Sequence, residues 1–114
     1  MKTDRELLEL AAKAAGFPVH IWGDEDRLNC ARIDIDLDTA WNPLTDDGDA
    51  LRLAVNLSLC VFVNGMFVHA DCQHCPVGDI GYFEENSARN GGDIYTATRR
   101  AIVRAAAAIG DQMK

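Results

Sequence analysis

The run Cys60-Val61-Phe62-Val63-Asn64-Gly65-Met66-Phe67-Val68-His69 decides how this chain is read. Asn64-Gly65 between two apolar stretches is a strong short-range hairpin signal, because a two-residue type I′ turn needs positive φ at both positions. With that turn, Val63 pairs with Met66, Phe62 with Phe67, Val61 with Val68 and Cys60 with His69. Side chains alternate across a strand. One face therefore carries Phe62 and Phe67, and the other carries Val61, Val63, Met66 and Val68. Both faces are apolar, and a sheet of that kind wants cover on both sides. Helices are the available cover. The expected class is α+β, an α/β/α sandwich with a mainly antiparallel sheet and helices on both faces.

The flanks supply the helices. Upstream, Thr3-x-x-Glu6 is a capping box, and Leu7, Leu10, Ala11, Ala14 and Ala15 follow at helical spacing. Gly16 and Pro18 stop that helix. Thr45-Asp46-Asp47 caps a second helix with the apolar stripe Ala50, Leu53, Ala54 and Leu57, which gives way to a strand around Ser58 or Leu59. Downstream, Ile80-Gly81-Tyr82-Phe83 reads as a third strand and Glu84 to Gly92 as a loop. A last helix starts near Asp93, with Ala97, Ala101, Ala105 and Ile109 as its stripe and Ile102 beside it, and Gly110 as its end. The alanines let this helix approach the sheet closely. Phe17 to Trp22 reads as a short strand, and Ile33, Ile35 and Leu37 alternate with Asp34, Asp36 and Asp38 as another with one wet face.

The 114 residues suit one domain spanning 1–114. No apolar run approaches the ~18 residues of a membrane span, and no signal peptide is visible, so a cytoplasmic location is expected. In that compartment the four cysteines are expected as thiols or metal ligands rather than disulfides. The net charge of −7 is concentrated: residues 23–50 hold nine acidic side chains against two arginines, and the remainder is balanced. Such a chain repels nucleic acid at long range.

The segment Trp41-Asn42-Pro43-Leu44-Thr45-Asp46-Asp47-Gly48-Asp49-Ala50-Leu51-Arg52-Leu53-Ala54-Val55 resembles the signature of the phage ABA sandwich domain family. Ala97-Thr98-Arg99-Arg100-Ala101-Ile102-Val103-Arg104-Ala105-Ala106 resembles the final helix of the same group. The resemblance implies an α/β/α sandwich carried by phages and prophages, hence action in a bacterial host cytoplasm. It implies no catalytic residues. The stretch Cys72 to Gly92 lies outside it.

Several residues are candidates for chemistry. Cys72-Gln73-His74-Cys75 has the spacing of half a tetrahedral zinc site. His69, Cys72 and Cys75 with either His74 or Cys60 would complete one. The competing reading is a structural pair of thiols in a loop. A thioredoxin-like role needs the motif to open a helix, which Pro76 and Gly78 oppose. Asp34, Asp36 and Asp38 read as a solvated strand face before a cation site, and Asp46, Asp47 and Asp49 as helix capping before a calcium loop. Arg99, Arg100 and Arg104 line the polar side of the last helix, as local ion pairs, as phosphate contacts, or as a contact for an acidic partner or a second copy. Trp22 and Trp41 flank the acidic segment as core anchors or, if exposed, as binding residues.

Two functions compete. One is a non-enzymatic accessory protein that binds another protein or itself. The other is a nucleic-acid binder, since the order helix-strand-strand-strand-helix from Asp46 onward matches that of double-stranded RNA-binding domains. Thr96-Ala97-Thr98-Arg99-Arg100, however, stands where that family has a lysine cluster.

Overall fold

The computed structural model of the chain describes residues 3–16, 19–21, 28–30, 40–64, 67–72, 80–86 and 93–113, with backbone alone at 19–21, 28–30, 40 and 80–86. The order is α1 (Asp4–Ala15), β1 (Val19–Ile21), β2 (Leu28–Cys30), β3 (Ala40–Trp41), α2 (Asp47–Asn56), β4 (Cys60–Val63), β5 (Phe67–Cys72), β6 (Ile80–Asn86) and α3 (Ile94–Gln112). The chain is α+β, and its described residues form two antiparallel three-stranded sheets ordered β1-β2-β3 and β4-β5-β6. The strand expected over residues 33–37 and the wet face of Asp34, Asp36 and Asp38 lie outside the described residues.

Each helix begins where its local chemistry dictates. The Thr3 side chain accepts from Glu6 N, and Glu6 reaches back to Thr3 N. Gly16 closes α1 at φ 79°, a left-handed conformation that glycine adopts without a Cβ clash. Asp46 caps α2 by accepting from Asp49 N at 2.8 Å. Asp93 caps α3 by accepting from Tyr95 N at 3.1 Å. The exit of α2 is less ordinary: Ser58 takes φ 54° so that the chain can turn into β4, at a cost of roughly 1 kcal/mol for a residue with a Cβ.

The core is organised around α3, which packs against α1, α2, β5 and β6. One side of α3 meets the sheet, where Ala97, Ala101 and Ala105 lie on Val68 and Ala70, and Ile109 lies near Cys72. The other side presents Ile102, Val103, Ala106 and Ala107 to Leu7, Leu8, Ala11 and Ala12 of α1, Leu53 and Ala54 of α2, and the Trp41 indole. Gly110 was expected to end α3, but the helix runs through it to Gln112. Its role is contact: a Cβ there would sit 1.9 Å from the Leu10 carbonyl oxygen, so α1 and α3 cross with backbone against backbone.

The hairpin forms with a shifted register. Val63 lies opposite Val68, Phe62 opposite His69, Val61 opposite Ala70 and Cys60 opposite Asp71. This overturns the expected Phe62–Phe67 and Cys60–His69 pairs. The strands close on Asn64 N donating to Phe67 O at 3.1 Å, while the Asn64 side chain accepts from Phe67 N at 3.0 Å. The Asn64 amide is thus used as a ladder residue rather than as a turn residue. The slip is two residues, an even number, so each side chain keeps its expected face. On β5 burial alternates, with Val68, Ala70 and Cys72 buried under α3. The whole of β4 is exposed.

Candidate functional site

A concave apolar surface lies where α2, β4 and the first turns of α3 meet. It arises because α2 carries more apolar residues than its core stripe needs. Ala50, Leu53 and Ala54 face inward, whereas Leu51 and Val55, one helical turn apart, face out at 64% and 70% exposure. The strand beside them contributes Val61 and Val63, and α3 contributes Ile94, Tyr95, Thr98 and Ile102. Together with Ala50, Leu51 and Ala54 these side chains wall an open groove of about 570 Å³, within the ~300–1,000 Å³ range of small-ligand clefts but wide to solvent.

The charged groups of the groove are already paired. Arg99, mostly buried, donates from Nη1 to Asp47, from Nε to Leu44 O at 2.9 Å and from Nη2 to Thr96 Oγ1 at 3.0 Å. It latches α3 to the start of α2 and closes one end of the groove. At the other helix start, the Asp93 carboxylate accepts from Thr96 Oγ1 at 2.6 Å and from Tyr95 N. The Thr96 hydroxyl and then the Tyr95 N–H hold its carboxyl below the usual aspartate range against the smaller opposing effect of desolvation.

Trp41 and the polar residues that follow it up to Asp49 are structural. The Trp41 indole is buried in the core at 1% exposure and offers no binding surface, which corrects its reading as a contact residue. The Asn42 side chain accepts from Leu44 N at 3.0 Å, and the buried Asp49 accepts from Asn42 N at 3.0 Å and from Arg52 Nη2 at 2.8 Å. Asp46, Asp47 and Asp49 therefore serve as caps and latches, as expected of a helix start.

The other predicted candidates disperse. Arg99 is committed to Asp47, and Arg100 donates to Asp4 at 3.1 Å, tying α3 to α1. Arg104 is half-buried further along the same helix. Arg99 and Arg100 thus stitch helices together. Of the zinc candidates, His69 and Cys72 are three residues apart on β5 and project to opposite faces. His69 packs edge-on against Phe62 with ring centroids 6.0 Å apart. Cys72 is buried and disulfide-bonded to a cysteine whose side chain is outside the described residues, which corrects the expectation of a thiol there. Its Sγ lies 3.7 Å from Leu57 O, a contact and not a hydrogen bond, since a disulfide sulfur has no proton to donate. Cys60 is a free, exposed thiol opposite Asp71. His74, Cys75 and Trp22 lie outside the described residues. Among the described residues no three His, Cys, Asp or Glu side chains converge on a metal-sized site, and no helix is long and apolar enough to cross a membrane.

Sequence reasoning missed the groove because its walls come from three separate elements. The available signal was the second apolar pair on α2, Leu51 and Val55, which the core stripe leaves unexplained. No family model, no curated protein and no solved structure matches the chain.

Proposed function

We propose that this chain is a non-enzymatic accessory protein that works by binding protein, with the α2–β4–α3 groove as its contact surface. The observation that carries the reading is the grouping of Leu51 with Val61, Val63 and Tyr95 in one exposed apolar surface. Scattered apolar residues on a surface are ordinary, but a contiguous patch lining a concavity marks an interaction site. The groove's own ions neutralise each other at Arg99–Asp47, so an apolar partner surface meets no unpaired charge there. The sandwich expected from the two-faced hairpin belongs to the same proposal: the cover that β4 lacks among the described residues comes from outside the chain. The phage or prophage setting, with action in a bacterial cytoplasm, rests on the resemblance at Trp41–Val55 and Ala97–Ala106.

The test is site-specific photocross-linking in host-cell extract. A photoreactive side chain at position 51 is expected to form a protein adduct that the Val63→Glu substitution removes, while the same group at position 13, on the exposed side of α1, forms none. Equal labelling at both positions contradicts the reading.

One observation favours nucleic-acid binding. The order α2-β4-β5-β6-α3 is that of double-stranded RNA-binding domains. The arginines that would meet phosphate are engaged with Asp47 and Asp4, and the first turn of α2 is acidic. Retention on duplex RNA that falls with salt would support this second reading over the first.

A further inference from the structure

We infer that the partner seated on β4 is a second copy of this chain, joined strand to strand about a two-fold axis at Phe62. The inference rests on the protein-binding reading above and names the occupant.

The backbone pattern sets the geometry. In an antiparallel ladder, hydrogen-bonded and non-bonded pairs alternate. Asn64 N bonds to Phe67 O, so the pairs Phe62–His69 and Cys60–Asp71 are the bonded ones on the β5 side. The N–H and C=O of Val61 and Val63 therefore point away from β5. In the sheet order β4-β5-β6, that side of β4 is an edge among the described residues. Edge strands are ordinarily protected by charge, proline, a bulge or very short length. Cys60-Val61-Phe62-Val63 has no charge and no proline, pairs in continuous register, and exposes Val61 at 38%, Phe62 at 60% and Val63 at 48%.

The edge is complementary to itself. A two-fold axis perpendicular to the sheet requires one residue to lie opposite its own copy. With Phe62 opposite Phe62 of the second copy, Val61 of each chain faces Val63 of the other. Those are the residues with outward backbone groups, so both donors and both acceptors of each chain are satisfied. The axis keeps each face on its own side. The two Phe62 rings meet on the outer face, where cross-strand aromatic pairs stabilise a sheet. The two α2 helices lie on the other face, so that Leu51 and Val55 add to the covered surface. From their fractional exposures, Leu51, Val55, Val61, Phe62, Val63 and Tyr95 present on the order of 600 Å², against about 800 Å² per partner in a standard stable interface. The strand backbone and groove walls make up much of the difference.

Sedimentation equilibrium across the micromolar range tests this with the whole chain. The expected species is twice the 12.5 kDa monomer mass. Phe62→Lys, which places like charges opposite each other, is expected to weaken association by on the order of tenfold or more. Val61→Pro removes one outward N–H at an edge position where proline is tolerated, and is expected to do the same with an unchanged circular dichroism spectrum. In a Cys60→Ser background, Phe62→Cys is expected to oxidise to a covalent dimer, because non-bonded cross-strand pairs have the Cα spacing a disulfide needs. A wild-type chain that stays monomeric throughout the range overturns the inference, as does a dimer indifferent to both edge substitutions. If position-51 cross-linking to another protein persists with a monomeric chain, only the choice of occupant fails. Loss of both results removes the protein-binding reading as well.

Discussion

Helix α3 and strand β4 are both rich in apolar residues, and they have opposite fates. The helix is rich in alanine, six of its nineteen residues, yet it is buried on both sides, against the sheet through Ala97, Ala101 and Ala105 and against the other helices through Val103, Ala106 and Ala107. The strand carries valines and a phenylalanine, yet all four of its residues are exposed. Burial here follows how near a backbone can approach its neighbours. Small side chains bring α3 into the centre, where dense packing rewards close approach, and the larger side chains of β4 are left at an edge. Val63 and Val68 make the contrast within a single cross-strand pair: same residue type, same face, one about half exposed and one fully buried.

The largest expected effect breaks the central helix. Gly110→Ala places a methyl against the Leu10 carbonyl, backbone against backbone with no flexible side chain to yield. The expected loss is about 3 kcal/mol or more, with a fall in Tm on the order of 10–15 °C for a domain of this size. A loss well below 1 kcal/mol in urea unfolding would show that the helices are not in such close contact.

The next substitution sharpens the comparison directly. Val68→Ala opens a cavity under α3 and is expected to cost about 2 kcal/mol, whereas Val63→Ala is expected to cost less than about 0.5 kcal/mol in the dilute monomer. Equal costs would mean that β4 is covered as well as β5. An intermediate effect is expected at the latch that fixes one wall of the groove. Asp49→Ala leaves the Asn42 N–H without its acceptor and is expected to cost about 1–2 kcal/mol in urea unfolding. The Arg52 partner adds little, because it is more than half exposed.

The smallest effect is at the exposed entrance of α3. The Asp93 carboxyl is held below its usual range by Thr96 and Tyr95. A depressed carboxyl contributes stability that is complete above its unfolded value and is lost as pH falls through its folded value. The cap should therefore persist through neutral and mildly acidic pH and weaken only below the ordinary aspartate range. Asp93→Asn keeps an acceptor without titrating. Exchange of the Tyr95 amide should rise on acidification, relative to its intrinsic rate, in the wild type and not in the variant.

What could be read from the sequence was local. Thr3 with Glu6, Gly16, Asp46 and Asp93 mark helix ends because a cap is chemistry between residues two to four apart. The faces of the hairpin also survive, since parity depends only on alternation. The register did not, because Asn64 can serve as a turn residue or as a ladder residue and only the closed hairpin decides. Gly110 was misjudged for a similar reason: a glycine near a helix end is a stop signal locally, but here its role comes from Leu10, a hundred residues earlier. Apolar alternation identified β4 as a strand without saying that it would be an edge. The groove was hidden in the same way, since Leu51, Val61 and Tyr95 are unrelated until the chain folds.

Amide hydrogen exchange resolved at single residues tests the contrast most directly. In dilute solution, amides of Val103 to Ala107 should exchange only through global unfolding, while those of Val61 and Val63, aimed out of the edge, exchange near the rate of an unprotected chain and slow as concentration rises. Strong protection of Val61 and Val63 at every dilution, or rapid exchange within α3, would contradict a buried alanine helix beside an open valine edge.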